Sequence, residues 1–320
     1  MSTGLASSLE CSDGASGRRP GTSTRKRVSV SFSGFLMNVL SAHTPHTPRA
    51  RAAVRGSDVR DHRRLGPASG DSELQRYQAY RKVFGTAEVA LPAQILSNRA
   101  VAGWAREHHV AVDAHTGADV ASVAAASIPL SRVTVFADAL SESDLRAVAA
   151  MGVGQIVAGS VQHVEVLRSV VVKRRQDVVL RMTDAGTPLL ALAVGVPSGF
   201  RFDSDESDTA VAAVLNHDRL NLVGLHCEVG AGDDDFISYP AAIGQLIAEM
   251  TQIRRNHGVL LTRLGLGGGR VIPPATWVAE LRRLATEIDE SLDDACGTLR
   301  FPRPLLVLSA SVAIGGRSAA

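Results

Sequence analysis

The sequence predicts a closed (β/α)8 barrel, and three observations support this fold class. Short β-branched runs alternate with Ala-, Leu- and Arg-rich stretches from about residue 71 onward, as in βα units. Eight strand-like runs occur over roughly 250 residues, the usual size of such a barrel. A glycine-rich turn follows the seventh run, where barrels commonly hold phosphate. An open doubly wound sheet is disfavoured, because no GxGxxG turn follows the first strand.

The predicted strands are short apolar runs bounded by glycine or polar residues. In chain order they cover residues 88–91, 109–113, 132–137, 155–157, 178–182, 222–227, 262–266 and 305–309. Helices are predicted between them because apolar residues recur at helical spacing, as Leu145, Val148 and Ala149 do. The predicted helices cover residues 98–108, 117–126, 141–151, 161–169, 208–216, 239–257 and 274–290.

The first 70 residues differ in composition from the rest. Ser, Thr, Gly, Pro, Arg and His dominate there, and such a segment cannot bury enough apolar surface to offset its ordering entropy. We therefore predict a disordered basic extension over residues 1–70 and a barrel domain over residues 71–320. An apolar patch at 28–40 superficially resembles a secretion signal, but its serines and the missing cleavage pattern favour a floppy extension or a wrongly chosen start codon.

Charge and composition exclude several classes of function. The net charge is +2, but the basic residues are concentrated before residue 65, which argues against a nucleic-acid-binding face on the barrel. No run of 18 apolar residues occurs, so we expect no membrane span. Cys11, Cys227 and Cys296 are too few and too far apart for a disulfide framework, which predicts a cytoplasmic protein. We predict no metal site, because the adjacent carboxylates of 233–235 are typical of a solvated loop.

The glycine-rich turn is the clearest candidate for ligand binding. Gly267, Gly268 and Gly269 end the seventh strand, and their missing Cβ atoms allow backbone N–H groups to approach phosphate oxygens. A simple tight turn is the alternative interpretation. The position after the seventh strand favours phosphate.

Five stretches, in a fixed order, resemble motifs of a known family. They are YRKVFG at 80–85, SNRAV at 97–101, VDAHTGAD at 112–119, LVGLHCEVG at 222–230 and LGLGGG at 264–269. From about Leu74 to Gly316 the chain resembles the barrel of the fold-type III pyridoxal-phosphate decarboxylases, which act on diaminopimelate, ornithine or arginine and share the alanine-racemase-like barrel. The resemblance implies pyridoxal phosphate as the cofactor and an amino-acid decarboxylase (lyase) ancestry.

The resemblance places the family's working residues on side chains of different chemistry. The Schiff-base lysine falls on Gln94, whose amide cannot form the internal aldimine. The ring-stacking histidine falls on Glu228, a carboxylate that would repel phosphate. The glutamate at the pyridine nitrogen falls on Ser309, and two phosphate contacts fall on Ala231 and Val312. Each lost charge-assisted contact is worth roughly 1.5–3 kcal/mol, so we expect cofactor binding to be weakened by several orders of magnitude. Because these side chains replace the family's working residues, no catalytic residue is predicted.

Other pocket positions of the family are retained. We predict that Gly230, Gly267 to Gly269, Asp113 and Arg181 contact the cofactor or ligand. For Asp113 and Arg181 the alternative is mutual neutralisation, because charges at neighbouring strand ends are costly unless paired. His226 lies on an apolar strand, and the alternative to a catalytic role is a satisfied core histidine.

Three interpretations of function remain open. The first is a catalytically impaired or inactive diaminopimelate decarboxylase-like barrel that still binds a small phosphate-bearing ligand. The second is an active pyridoxal-phosphate-dependent decarboxylase that uses another lysine, and the chain has Lys26, Lys82 and Lys173. The third is a truncated fragment without function, because the resemblance implies a C-terminal β domain that we expect to be absent. A homodimer is compatible with the family, but the retained domain does not support one.

Overall fold

The computed structural model describes residues 69–184, 199–229, 237–268 and 277–310. The predicted disordered extension, 1–70, lies outside these ranges except for its last two residues, which begin a helix. Gly230, Ala231, the carboxylates of 233–235, Gly269 and Val312 also lie outside the described residues.

Eight parallel strands form a closed ring, which confirms the predicted fold class. The described strands are β1 (Glu88–Pro92), β2 (Val112–Ala114), β3 (Val133–Phe136), β4 (Gln155–Ala158), β5 (Gln176–Thr183), β6 (Phe200–Arg201), β7 (Leu220–Val229), β8 (Arg263–Gly268) and β9 (Leu305–Ser309). The ring runs β4-β3-β2-β1-β9-β8-β7-β5, and the pairing of β4 with β5 closes it. The short β6, which sequence reasoning missed, pairs with the carboxyl end of β5.

Helices alternate with the strands along the chain. The described helices are α1 (Ser69–Val83), α2 (Arg99–Glu107), α3 (Gly117–Ala125), α4 (Glu142–Met151), α5 (Val161–Val170), α6 (Asp205–Leu215), α7 (Tyr239–His257) and α8 (Trp277–Leu299). Asn98, Thr116, Ser141, Ser160, Ser204 and Ser238 cap the amino ends of α2 to α7. Their side-chain oxygens accept backbone N–H bonds that the first helical turn cannot satisfy internally. None of the described helices has the length and apolar character that a membrane span needs.

Apolar side chains fill the barrel on both faces of its strands. The larger cluster lies between strands and helices and includes Leu91, Ile156 and Leu180. A smaller cluster of Phe136, Val157 and Val179 fills the barrel interior, with Val223 packed against it. This interior packing separates the two ends of the barrel.

Several element boundaries differ from the prediction, and the largest difference is at the end of α8, which extends to Leu299 and not to residue 290. The strand predicted at 109–113 begins only at Val112, because His109 has φ 53° and lies just past the end of α2. Helix α6 begins at Asp205, whereas the helix was predicted to begin only at residue 208. Acidic side chains in a first helical turn complement the helix dipole, and Ser204 supplies the cap.

Candidate functional site

The carboxyl ends of the barrel strands meet at one end of the molecule, which we call the mouth. Its described polar residues and glycines include Gln94, His115, Asp119, Asp138, Arg181, His226, Glu228, Gly267 and Gly268. In (β/α)8 barrels this end carries the ligand site, because the loops after the strands converge there.

Gln94 lies at the mouth, on a 3-10 turn that spans Ala93–Ser97 directly after β1. Its Nε2 donates to Asp119 Oδ2 at 3.0 Å. The same oxygen accepts the backbone N–H groups of His115 at 2.9 Å and Thr116 at 3.0 Å. The position matched to the family's lysine therefore holds a neutral amide, and the neighbouring carboxylate is already satisfied.

Arg181 is the central cation of the mouth, and its side chain is only 3% exposed. Nη1 donates to Asp138 Oδ2 at 2.6 Å, and Nη2 donates to Glu228 Oε1 at 2.5 Å. The sequence-based alternative, in which Arg181 neutralises Asp113, is wrong. The guanidinium instead reaches the two carboxylates at the ends of β3 and β7, and Asp138 Oδ1 is left without a hydrogen-bond partner among the described residues.

Glu228 turns its carboxylate into the mouth, against the glycines. Burial raises the pKa of Glu228, but the Arg181 guanidinium and a hydrogen bond from His226 outweigh it and lower the pKa to about 2. Glu228 pairs in register with Gly267, and a Cβ on Gly267 would lie 2.5 Å from Glu228 Oε1. An ionised carboxylate therefore covers the described part of the predicted phosphate turn.

Gly268 itself needs to be glycine. Its φ is +69°, in the left-handed region, and a Cβ there would collide with the carbonyl oxygen of Val229. The backbone of the predicted turn is thus glycine-dependent, whether or not a ligand uses it.

Two histidines pack on Phe136 beneath these charges. The ring of His115 stacks on Phe136 at a centroid distance of 4.4 Å, and His226 meets its edge at 5.2 Å. Burial lowers the pKa of His115. His226 is buried, and its Nε2 lies 3.2 Å from Glu228 Oε1. This hydrogen bond accounts for the histidine without a catalytic role.

Asp113 and Ser309 lie deeper, inside the barrel. Burial raises the pKa of Asp113 to about 7, although a hydrogen bond with the Ser309 side chain lowers it. The two residues line an internal cavity of about 20 Å³, which is room for roughly one water molecule. Asp113 is therefore placed as a buried acid and makes no contact with Arg181.

Sequence reasoning missed three contributors to the mouth. His115, Asp119 and Asp138 each follow a barrel strand within a few residues, and that position was the available signal. Asp119 has a second role as the N3 residue of the capping box of α3. Among the described residues, no group of three or more His, Cys, Asp or Glu side chains could hold a metal ion.

The described lysines lie at the other end of the barrel. Lys82 is exposed near the end of α1, just before β1, and Lys173 is exposed just before β5. Segments that precede a parallel strand lie at its amino end, opposite the mouth. Lys26 lies outside the described residues.

The fold and this site define a (β/α)8 barrel with its polar site at the carboxyl end of the strands. Residues 72–307 match the family model described as "Pyridoxal-dependent decarboxylase, pyridoxal binding domain". The chain belongs to this family, whose cofactor is pyridoxal phosphate.

Curated relatives agree with the family model. The chain is 28% identical over 250 residues to the diaminopimelate decarboxylase of Actinosynnema pretiosum subsp. auranticum, covering 76% of this chain and 56% of the relative. It is 28% identical over 260 residues to that of Mycobacterium tuberculosis (strain ATCC 25618 / H37Rv), covering 77% and 58%. The chain thus spans just over half the length of these relatives.

Solved structures share the fold. The diaminopimelate decarboxylase from M. jannaschii in co-complex with L-lysine superposes with a TM-score of 0.61 at 15% identity, covering 75% of this chain and 58% of that one. The Paramecium bursaria Chlorella virus arginine decarboxylase bound to agmatine gives 0.60 at 14% identity, covering 75% and 61%. At these identities the likeness concerns the fold alone.

The residues of the mouth do not fit a covalently bound pyridoxal phosphate. The Gln94 amide supplies no amine for an imine, and the Glu228 carboxylate lies against Gly267, where an anionic phosphate would approach. Both terminal nitrogens of Arg181 are already bonded to carboxylates.

Proposed function

We propose that this chain is a diaminopimelate decarboxylase-like barrel that is catalytically impaired or inactive and binds a small phosphate-bearing ligand only without a covalent bond. One observation carries the proposal. Gln94, at the position matched to the Schiff-base lysine, donates its amide to Asp119 at 3.0 Å. An amide nitrogen is not nucleophilic enough to form an imine, so the anchor of the family's chemistry is missing.

The charges of the mouth support weak, noncovalent binding at most. Arg181 is the cation that could attract a phosphate, but Asp138 and Glu228 already neutralise it. Gly267 and Gly268 keep the strand end that a phosphate would approach, with the Glu228 carboxylate over it. A ligand must therefore displace an ion-paired carboxylate before it reaches the glycines.

The other interpretations have less support. An active enzyme needs a lysine at the mouth, and both described lysines lie at the opposite end of the barrel. A non-functional fragment would lack a cooperative core, whereas eight strands pair into a closed ring. A cytoplasmic location remains part of the proposal, supported by Cys227 and Cys296, which are free and buried.

The test is imine formation by the full chain. We would add pyridoxal phosphate, record the imine absorbance, reduce with borohydride and locate adducts by mass spectrometry. The native chain is expected to give no adduct. Gln94→Lys should give an adduct at position 94, and Gln94→Met, of similar size, should not. Because Gln94 is exposed at the mouth, both variants are expected to fold.

Each outcome separates the interpretations. A stoichiometric adduct on a native lysine, with turnover of meso-diaminopimelate, would show that the proposal is wrong. A folded Gln94→Lys variant without any adduct would remove the ligand part of the proposal. Absence of a cooperative unfolding transition in the native chain would favour the non-functional fragment.

A further inference from the structure

A second cavity, of about 410 Å³, opens at the end of the barrel opposite the mouth. We call it the base pocket. It lies where strands β1 to β4 begin, and its polar lining includes Arg81, Glu88, His109, Ser131, Arg132 and Arg263. The volume falls in the range of pockets that bind small organic molecules.

The base pocket has an excess of positive charge. It contains three guanidinium groups and one carboxylate, and that carboxylate, Glu88, pairs with Arg263. Arg132 donates to His109 Nδ1 and lies 3.5 Å from a backbone carbonyl, without a carboxylate partner among the described residues. Arg81 is exposed and has no hydrogen-bond or ion-pair partner in the described part of the chain. Two guanidinium groups are therefore left without a counter-charge.

Other arginines at this end have a structural explanation that does not extend to Arg81. Helices end here, and arginine side chains commonly satisfy their last carbonyl groups. Arg106 donates to the carbonyl of Ala126 at 3.0 Å, and Arg174 donates to that of Ala149 at 2.8 Å. Arg81 lies in the last turn of α1, where a cation complements the helix dipole, but its guanidinium makes no such bond to a carbonyl group of the described residues.

His109 adds a donor to the pocket from a strained position. It follows the end of α2 with φ 53°, in the left-handed region that favours glycine at this place. Because its Nδ1 accepts from Arg132, the ring proton is assigned to Nε2, which is then available as a donor. A histidine here brings to the pocket a hydrogen-bond donor that glycine would lack.

We propose that the base pocket binds a small organic dianion, either a phosphate monoester or a dicarboxylate. Guanidinium groups recognise both through paired, charged hydrogen bonds. Ala87, Val89, Val110 and Val133 supply an apolar wall for the carbon skeleton of the ligand. The segment before position 65 is rich in arginine, so its positive charge is unsuited to a pocket that already has an excess of guanidinium groups. This site does not depend on the function proposed for the mouth.

Calorimetric titration of the full chain tests the proposal. The probes are inorganic phosphate, glycerol phosphate and succinate, at low ionic strength because salt screens exposed charges. Saturable binding is expected. Arg81→Gln and Arg132→Gln should each raise Kd about tenfold, since each removes a charged contact. Arg254→Gln is the matched control, because this exposed residue ends α7 at the same end of the barrel but does not line the pocket.

The outcomes are distinct. Preference for glycerol phosphate or for succinate identifies the class of dianion. Absence of saturable binding at millimolar probe, or an equal loss in Arg254→Gln, would overturn the proposal. His109→Gly retains both arginines and relieves the backbone, so weaker binding with unchanged thermal unfolding supports a role for the imidazole. Affinity that is lost in Arg81→Gln and Arg132→Gln belongs to the base pocket, because both residues lie at the end opposite the mouth.

Discussion

The two ends of this barrel have opposite charge and opposite exposure. At the mouth a buried guanidinium, Arg181, lies among carboxylates that include Asp138 and Glu228. At the base, exposed Arg81 and half-buried Arg132 face a cavity with no carboxylate of their own. In the family to which the chain belongs, the resemblance assigns the anionic cofactor to the mouth. Here the described residues make the base the more favourable end for an anion.

The difference shows that the two ends of one barrel can have side chains of different charge and burial. Phe136, Val157 and Val179 pack in the barrel interior. Among the described residues, no hydrogen bond or ion pair joins Arg181 or Glu228 at the mouth to the arginines of the base pocket. Buried ions are costly unless each is paired, whereas exposed ions cost little. We therefore expect substitutions at the mouth to change stability as well as ligand affinity, and substitutions at the base to change ligand affinity with little effect on stability.

The largest effect is expected for Arg181→Met. The variant leaves Asp138 and Glu228 without their shared cation in a mostly buried site, which costs about 3–5 kcal/mol of unfolding free energy. Urea unfolding followed by circular dichroism measures the change. The control is Arg146→Met, because Arg146 forms an exposed ion pair with Glu142, worth at most about 0.5 kcal/mol.

A loss of under 1 kcal/mol for Arg181→Met would show that the mouth carboxylates are hydrated or protonated. If Arg181→Met does lose the expected stability, adding Asp138→Asn and Glu228→Gln should restore most of it, because no unpaired ion remains. If the combined variant is no more stable than Arg181→Met alone, packing rather than charge explains the loss.

The next effect concerns pH and Asp113. Burial raises the pKa of Asp113 from 3.8 to about 7. The stability linked to the neutral acid is thus complete below about pH 4 and is lost as the pH rises through 7. Asp113→Asn stays neutral, so it should match the native chain at pH 4 and exceed it at pH 8, by on the order of 4 kcal/mol.

Thermal unfolding between pH 4 and 8 measures this difference. Asp205→Asn is the control, because Asp205 is an exposed residue in the first turn of α6 and its removal should be slightly destabilising. A constant difference between Asp113→Asn and the native chain across the pH range would contradict the raised pKa.

The smallest effect is expected for Glu228→Gln, measured as noncovalent affinity for pyridoxal phosphate. The substitution removes the negative charge that lies against Gly267 and leaves Arg181 with one carboxylate. Dissociation constants from equilibrium dialysis should fall about tenfold. Glu165→Gln, in an exposed pair with Arg168, should change nothing. Weaker binding by Glu228→Gln would mean that the carboxylate holds the ligand rather than repelling it.

Strand and helix order could be predicted from the sequence because it follows local patterns. The spacing of apolar residues and the runs of β-branched residues located the strands. Gln94, Glu228 and the glycines of 267–268 were found from motifs at strand ends. The predicted starts of β2 and α6 were wrong. The left-handed residue His109 delays the strand to Val112, and the Ser204 cap starts the helix at Asp205. The alternative that paired Arg181 with Asp113, from their positions at neighbouring strand ends, was also wrong.

The sequence by itself determined the barrel and its family, since both depend on residue type and order along the chain, and the family resemblance predicted Gln94 at the position of the Schiff-base lysine. Only the tertiary structure decided that Arg181 pairs with Asp138 and Glu228, and that Glu228 covers Gly267. It also brought Arg81, His109 and Arg132 together around one cavity. These contacts join residues from different βα units, and closure of the barrel sets their distances.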